Sequence, residues 1–334
     1  MLELYYYENS ICAERVLMTL HEKAIKDWIP RHLLLFRGEH FTPEYLKLNP
    51  KGVVPTLVHD GQVIRESAII CDYLDEITPH PPLKPSSAVG RAQMREWVKD
   101  GDDYVFESVG SLSFASVFRA RMLEMSEEQR CSHWRNQRVL DRVMRQVSCV
   151  ELGVDSPYVL RAIASWDRTW KCIEQTLSDG RSWLMGEQFT LADLCYAPFV
   201  ARIEGLKLLD LWLDGRGSAR AWWRRLSHRP SFVAADVGPS KDERAIYEQE
   251  GGKIAPGIEE KLRDIRAGKA MEMGLASIRN CTSGPAETAA PGSAASTYRE
   301  TLRLRSGELP HRNRDAGFGD AENSIITSHE GGTR

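Results

Sequence analysis

"NPKGVVPTLVHDGQVIRESAIICDYLDE", residues 49–76, decides how the first part of the chain folds. Pro55 stands between β-branched runs, where a trans proline would only remove a ladder donor, so the pattern predicts a cis bond after Val54. A cis turn exposes the Val54 backbone N–H and C=O to an extended peptide, in the manner of β-augmentation. Further on, "ESAII" opens a helix, with Glu66 and Ser67 ahead of the apolar periodicity, and such a helix N-terminus suits a carboxylate.

Upstream, "YYYENSICAERVLMTL", residues 5–20, runs from an aromatic strand pattern through a polar turn into helical spacing. The first N–H groups of that helix, and the positive end of its dipole, point at whatever sits in the turn. A free thiol has a pKa near about 8.5, and a thiolate at a helix N-terminus is stabilised relative to it. Ser10 either caps the helix or donates its hydroxyl proton to a bound thiolate. Cys12 has the same two readings, a small buried hydrophobe or a reactive thiol, whereas Cys71, Cys149, Cys172 and Cys195 in periodic stretches read as packing. Taken together, the two stretches describe a site for a small peptide carrying a thiol and an anionic end.

Working outward, residues 1–80 alternate β-rich runs with helical stretches in a βαβ-then-ββα rhythm, which predicts one small α/β domain with a mixed sheet. "TPHPPLKPSS", residues 78–87, stacks four prolines into ten residues, and a linker is expected over 81–88. Residues 89–250 are rich in Leu, Met, Trp, Arg and Glu and nearly free of strand patterns, so an all-α domain is expected there, its tryptophans serving as core. Residues 251–334 hold only Tyr298 and Phe318 as aromatics. With so little apolar surface to offset ordering entropy, a largely disordered tail is expected, apart from a helix around "GIEEKLRDIRAGKAMEM".

The net charge of −3 over 334 residues leaves no concentrated positive field, so no nucleic-acid partner is expected. Seven cysteines without short paired spacings resemble neither a disulfide framework nor a metal site, and they fit a reducing compartment. Glu3 and Glu8 flank the first apolar residues, no secretory pattern is visible, and no apolar run approaches the roughly 18 residues of a membrane span, so a soluble cytoplasmic protein is expected.

"SICAERV", "NPKGVVPTL", "IRESAIICDYLDE", "FTLADLCYAPFVARIE" and "AWWRRLSHRPSF" together resemble the glutathione transferases, over about residues 2–245. The resemblance implies a thioredoxin-like N-terminal domain, an all-helical C-terminal domain, glutathione as co-substrate without a metal, and a homodimer. Val54, before the cis Pro55, would pair with the cysteinyl backbone of glutathione, and Glu66 and Ser67 would hold its γ-glutamyl end. His40, in "RGEHFTPEYLKLNP", matches a histidine that contacts the glycyl end in theta-like members; as a residue in its own right it reads equally as a solvated loop histidine. Ser10 matches the hydroxyl that activates the thiol in serine-type classes, and Cys12 matches the nucleophile of bacterial hydroquinone reductive dehalogenases. Tyr5, Tyr6 and Tyr7 are too early for the tyrosine-type role and read as strand residues. Thr190 and Asp193 match the family's capping box, a folding element.

The segment from Ala92 to Gln129 is most similar to bacterial lignin β-etherases, although Cys12-Ala13 stands where those enzymes tend to place Asn and Ser. The implied chemistry is attack by glutathione thiolate on a small electrophile, an aryl ether or haloaromatic, in a detoxification-type role. The acceptor is expected near Val105, Phe106, Val109, Phe114 and Phe118, a stripe that reads equally as core. Two alternatives stay open: thiol exchange through a Cys12 mixed disulfide, and a non-catalytic interaction module of the same fold.

Overall fold

The computed structural model describes residues 1–269, and the remainder of the expected tail lies outside the described residues. The N-terminal unit runs β1 (Leu2–Tyr6), α1 (Ile11–Glu22), β2 (Trp28–His32), α2 (Pro43–Leu48), β3 (Thr56–His59), β4 (Gln62–Arg65) and α3 (Ser67–Ile77). Its sheet has the order β2-β1-β3-β4, with β1 parallel to β2 and antiparallel to β3, the mixed βαβ-ββα arrangement expected from the sequence. Leu2 and Leu4 alternate inward along β1 and meet Leu57, Ile70 and Leu74 beneath α1 and α3, as a half-buried strand requires. Asp60 and Gly61, at φ 47° and 80°, close the β3–β4 hairpin in the left-handed conformation such turns demand. The Val54–Pro55 peptide is cis, as the sequence predicts, and His80–Pro81 is a second cis bond that the sequence reading did not anticipate.

Register decides the site. Tyr5 pairs with Thr56, and Thr56 with Arg65, so the end of β1, the start of β3 and the end of β4 lie side by side at one edge of the sheet. The Ser10 turn, the cis Pro55 and the N-terminus of α3 are therefore neighbours although they lie far apart in the chain. Tyr7 falls beyond the strand, which corrects its reading as a strand residue.

The proline-rich stretch is a seam rather than a loose spacer. The buried Asp75 carboxylate accepts from Lys23 at 2.7 Å and from the Leu83 N–H at 2.8 Å, and the Leu83 carbonyl accepts from Leu191 of the helical domain at 2.9 Å.

That domain begins with α4 (Ala88–Asp100), a π-helical turn over Gly101–Val105, and α5 (Phe106–Ala115). It continues through α6 (Val117–Leu123), α7 (Glu127–Arg135), α8 (Leu140–Leu152) and the long α9 (Pro157–Leu177). The short α10 (Leu191–Leu194), α11 (Ala197–Gly205), α12 (Asp210–Leu213), α13 (Gly217–Ser227), α14 (Pro230–Ala234) and α15 (Arg244–Arg266) complete it. Trp166 and Trp170 stack at 5.7 Å between ring centroids, with Trp212 and Trp222 against them, so these tryptophans are core. Thr190 and Asp193 form the expected capping box, and the buried Asp193 also accepts from the Leu184 N–H and the Trp222 Nε1, both at 2.9 Å. The apolar core is continuous across both units, from Leu4 through Met94 to Trp212.

Two expectations are sharpened. Val105 and Val109 are fully enclosed core residues and do not line a pocket, whereas Phe106, Phe114 and Phe118 pack against that core only in part. Past position 250 the helix expected around residues 257–273 is present, as far as Arg266, as the end of α15, which buries Ile258 and Leu262 and so carries the helical domain beyond its expected boundary. No described helix is long and apolar enough to cross a membrane.

Candidate functional site

The site is built where three chain segments converge at one end of the sheet. Ser10 ends the turn after β1 in an extended conformation and caps α1, its Oγ accepting from the Ala13 N–H at 3.4 Å. Capping uses a lone pair and leaves the hydroxyl proton uncommitted to that bond. The two sequence readings of Ser10 are thus compatible. Cys12 sits in the first turn of α1, where N–H groups lack helical partners. Burial pushes its thiol pKa up, against the opposing influence of Arg15 and of a hydrogen bond from Ser67. The helix terminus expected to favour a Cys12 thiolate is outweighed by desolvation, so the group stays protonated at neutral pH.

Arg15, one turn on, is the residue that sequence reasoning missed. It is 0 % exposed yet charged: burial opposes the charge, and Asp102 from the π-helical turn, at 2.6 Å, helps hold it. Its Nη1 also donates to the Ser67 Oγ at 3.2 Å, its Nε to the Cys195 carbonyl at 3.0 Å, and the guanidinium lies 4.3 Å above the Phe199 ring. A chain of donors therefore runs from Arg15 to Ser67 to Cys12, joining the N-termini of α1 and α3 under the site. The only sequence trace of this was a charged pair, Glu14-Arg15, interrupting the apolar face of a helix.

Ser67 is nearly buried and its hydroxyl is turned inward, so what the α3 N-terminus offers a ligand is its backbone N–H groups. Glu66 immediately before it holds φ 67°, a left-handed backbone that costs a non-glycine residue on the order of 1 kcal/mol and marks functional positions. Its exposed carboxylate pairs with Lys51 at 2.6 Å, a cation the sequence had not singled out. Val54 is held from behind: the Val53 carbonyl accepts from the Tyr45 hydroxyl at 2.6 Å and from Asn49 Nδ2 at 2.9 Å, which fixes the approach to the cis Pro55. Gly52, at φ 58° and with the Phe41 ring 2.9 Å from where a Cβ would stand, lets the loop make that approach.

His40 is not a solvated loop residue. It is 6 % exposed, its ring lies 3.8 Å from that of Phe41, and its Nδ1 is buried without a partner among the described residues. Burial, with Arg142 and His133 pushing the same way, lowers its pKa to about 4. At neutral pH it offers a hydrogen bond rather than a charge. Ser10, Cys12, Val54, Pro55, Glu66 and Ser67 are thus gathered at one end of the sheet, with His40 set beneath the surface beside them.

A mixed thioredoxin-type sheet, with a cis proline beside two helix N-termini and an all-helical domain across the seam, is the architecture of the two-domain glutathione-binding proteins. Residues 9–77 match the model of the glutathione S-transferase N-terminal domain, and residues 137–225 match that of its C-terminal domain. Protein LigF of Sphingobium sp. strain SYK-6 is 30% identical over 215 residues, covering 58% of this chain and 76% of that protein. The crystal structure of the beta-etherase LigF superposes with a TM-score of 0.63 at 25% identity, covering 70% of this chain and 98% of that one. The tetrachloro-p-hydroquinone reductive dehalogenase of Sphingobium chlorophenolicum is 26% identical and covers 71% of this chain and 96% of its own length. Glutathione S-transferase 1 of Dianthus caryophyllus is 47% identical over 91 residues, 27% of this chain and 41% of that protein. The chain belongs to the glutathione S-transferase family.

Proposed function

We propose that the protein is a glutathione transferase in which Ser10, not Cys12, activates the thiol, and that its acceptor is a hydrophobic, aromatic electrophile. The observation that carries the assignment is the contrast at the first turn of α1: an uncommitted hydroxyl proton on Ser10 beside a Cys12 thiol that burial holds protonated. On this reading glutathione lies extended along the start of β3 with the Val54 backbone pairing its cysteinyl unit. Its γ-glutamyl carboxylate faces the N–H groups opening α3, beside Glu66, and His40 serves its glycyl end as a neutral hydrogen-bonding group.

The thiol loses its proton to solvent and the thiolate accepts a hydrogen bond from Ser10. The sulfur then forms a bond to the carbon that carries the leaving group. That carbon–oxygen or carbon–halogen bond breaks, and its electron pair leaves with the phenoxide or halide. Rate comes from the lowered thiol pKa and from holding both reactants together. An aryl ether or haloaromatic acceptor follows from likeness to LigF and to the dehalogenase. A homodimer and a cytoplasmic location are part of the same proposal, supported by the family and by the free thiols of all six described cysteines.

The dehalogenase relative favours the competing reading, in which Cys12 attacks a glutathionyl adduct and a second glutathione resolves the mixed disulfide. Steady-state turnover of an aryl ether and of a halohydroquinone separates the two. Ser10→Ala is expected to lower kcat/KM at pH 7 by about 10²-fold, a general-acid–base-sized loss, and by more than Cys12→Ala does. The reverse order overturns the assignment in favour of Cys12.

A further inference from the structure

Asn9, the residue that precedes Ser10, is held by a clamp assembled from three helices of the other domain. Arg202 on α11 donates from Nη2 to the Asn9 carbonyl at 3.0 Å and to its side-chain Oδ1 at 2.5 Å. The Tyr247 hydroxyl, on α15, donates to the same Oδ1 at 3.3 Å. In return Asn9 Nδ2 donates to Glu243 Oε2 at 2.5 Å, at the cap position of α15. Glu243 is fixed in turn by Arg121 of α6 at 2.8 Å and by the Ser240 hydroxyl at 3.3 Å. Arg202 and Tyr247 are buried, and the guanidinium lies 5.1 Å from the Tyr247 ring, so the clamp is rigid. Both polar ends of one carboxamide are satisfied by groups that lie 193 to 238 residues away along the chain, while its backbone leads directly into the catalytic turn.

We infer that Asn9 is a positioning residue, through which the docking of α6, α11 and α15 sets the geometry of the Ser10 turn. The inference rests on the Ser10 reading above only for its consequence, the pKa of the bound thiol. Arg202 grips the Asn9 backbone carbonyl as well as its side chain, so the clamp fixes the main chain directly ahead of Ser10 and not the carboxamide alone. α15 then acts on catalysis through position: when it is displaced, Ser10 loses its aim although no residue touching glutathione has changed.

The test uses the full chain carrying Asn9→Ala, Asn9→Asp or the double exchange Asn9→Asp with Glu243→Gln, with thermal unfolding recorded for each. Two readouts are taken: the pKa of bound glutathione from thiolate absorbance, and the rate of Cys12 alkylation by iodoacetamide, since Cys12 lies in the first turn set by the same segment. Asn9→Ala and Asn9→Asp are expected to raise the bound-thiol pKa by about one unit, with glutathione affinity changed less than threefold. They should also shift Cys12 alkylation at least threefold. The double exchange, in which a carboxamide at position 243 donates back to a carboxylate at position 9, is expected to return both readouts to within threefold of wild type, also if Asn9→Ala proves too unstable to assay. Wild-type values of both readouts in Asn9→Asp, or no recovery in the double exchange, overturn the inference. Ser10→Ala is measured alongside: an unchanged thiol pKa there removes the Ser10 reading, and the claim for Asn9 is then decided by Cys12 alkylation alone.

Discussion

At the scale of single residues, the unusual groups are ionisable side chains placed where water cannot reach them. Glu14 is 0 % exposed with one carboxylate oxygen lacking a hydrogen bond, and burial raises its pKa to about 8, against Arg202 at 3.9 Å. In the unfolded chain it titrates near 4.5. A group whose pKa is raised by folding contributes its stability below the unfolded value and loses it as pH climbs through the folded one. The protein is therefore expected to weaken between about pH 4.5 and pH 8 on account of this residue. Glu14→Gln should lose less of its melting temperature than wild type between pH 5 and pH 8; equal losses would remove Glu14 as the cause. His40 works in the other direction. Its pKa is depressed from 6.5 to about 4, so its contribution is full above pH 6.5 and disappears as pH falls toward 4. Scanning calorimetry of His40→Gln should show a shallower loss of stability over that acid range. Arg15 is a charge of a different kind: Asp102, Ser67 and the Cys195 carbonyl all accept from it, and only its Nη2 is buried without a hydrogen bond. Arg15→Met is expected to cost about 3 kcal/mol in urea unfolding, because it strands the groups that were matched to it.

At the scale of elements, two contacts decide how helices dock. Gly251 brings α15 so close to the end of α11 that a Cβ there would stand 1.9 Å from the Leu206 carbonyl oxygen. That oxygen belongs to the backbone and cannot turn aside. Gly251→Ala is expected to destabilise the protein by at least the ~1–3 kcal/mol typical of overpacking, read from the urea midpoint, and to free α15 for proteolysis near Tyr247. The second contact is the buried Asp193 carboxylate, which accepts from Thr190, Leu184 and Trp222 and so fastens α10 to α13 and to the loop before it. Asp193→Ala leaves three buried donors without partners, and a loss of about 3 kcal/mol or more is expected by the same measurement. These two sites differed in how legible they were. The Thr190–Asp193 box could be read directly, because its two members lie within one helical turn and the pattern is local. Gly251 could not, because the atom that demands a glycine lies far upstream, at the end of another helix.

At the scale of the molecule, the two units share one apolar core and a seam in which Lys23, Asp75, Leu83 and Leu191 are bonded across the boundary. Units joined by so continuous an apolar interface are expected to unfold together. Thermal unfolding followed by tryptophan fluorescence, which reports mainly on the helical domain, should coincide with the transition seen by far-ultraviolet circular dichroism. Separate midpoints would mean that the seam is weaker than its hydrogen bonds suggest.

The sequence by itself determined the succession of elements, the cis bond at Pro55 and the two helix N-termini carrying Ser10 and Glu66-Ser67. Each of these rests on local rules: strand and helix periods, the missing donor of proline, and orphan N–H groups at helix starts. Only the tertiary structure decided what those residues are able to do. Whether Cys12 is thiol or thiolate depends on burial weighed against Arg15 and Ser67, and whether His40 carries charge depends on burial together with Arg142 and His133 from helices about a hundred residues further on. Whether the Ser10 turn is held still depends on Arg202, Glu243 and Tyr247. Desolvation and through-space charge act over a few ångströms irrespective of sequence separation, so they come into existence only when the chain has folded.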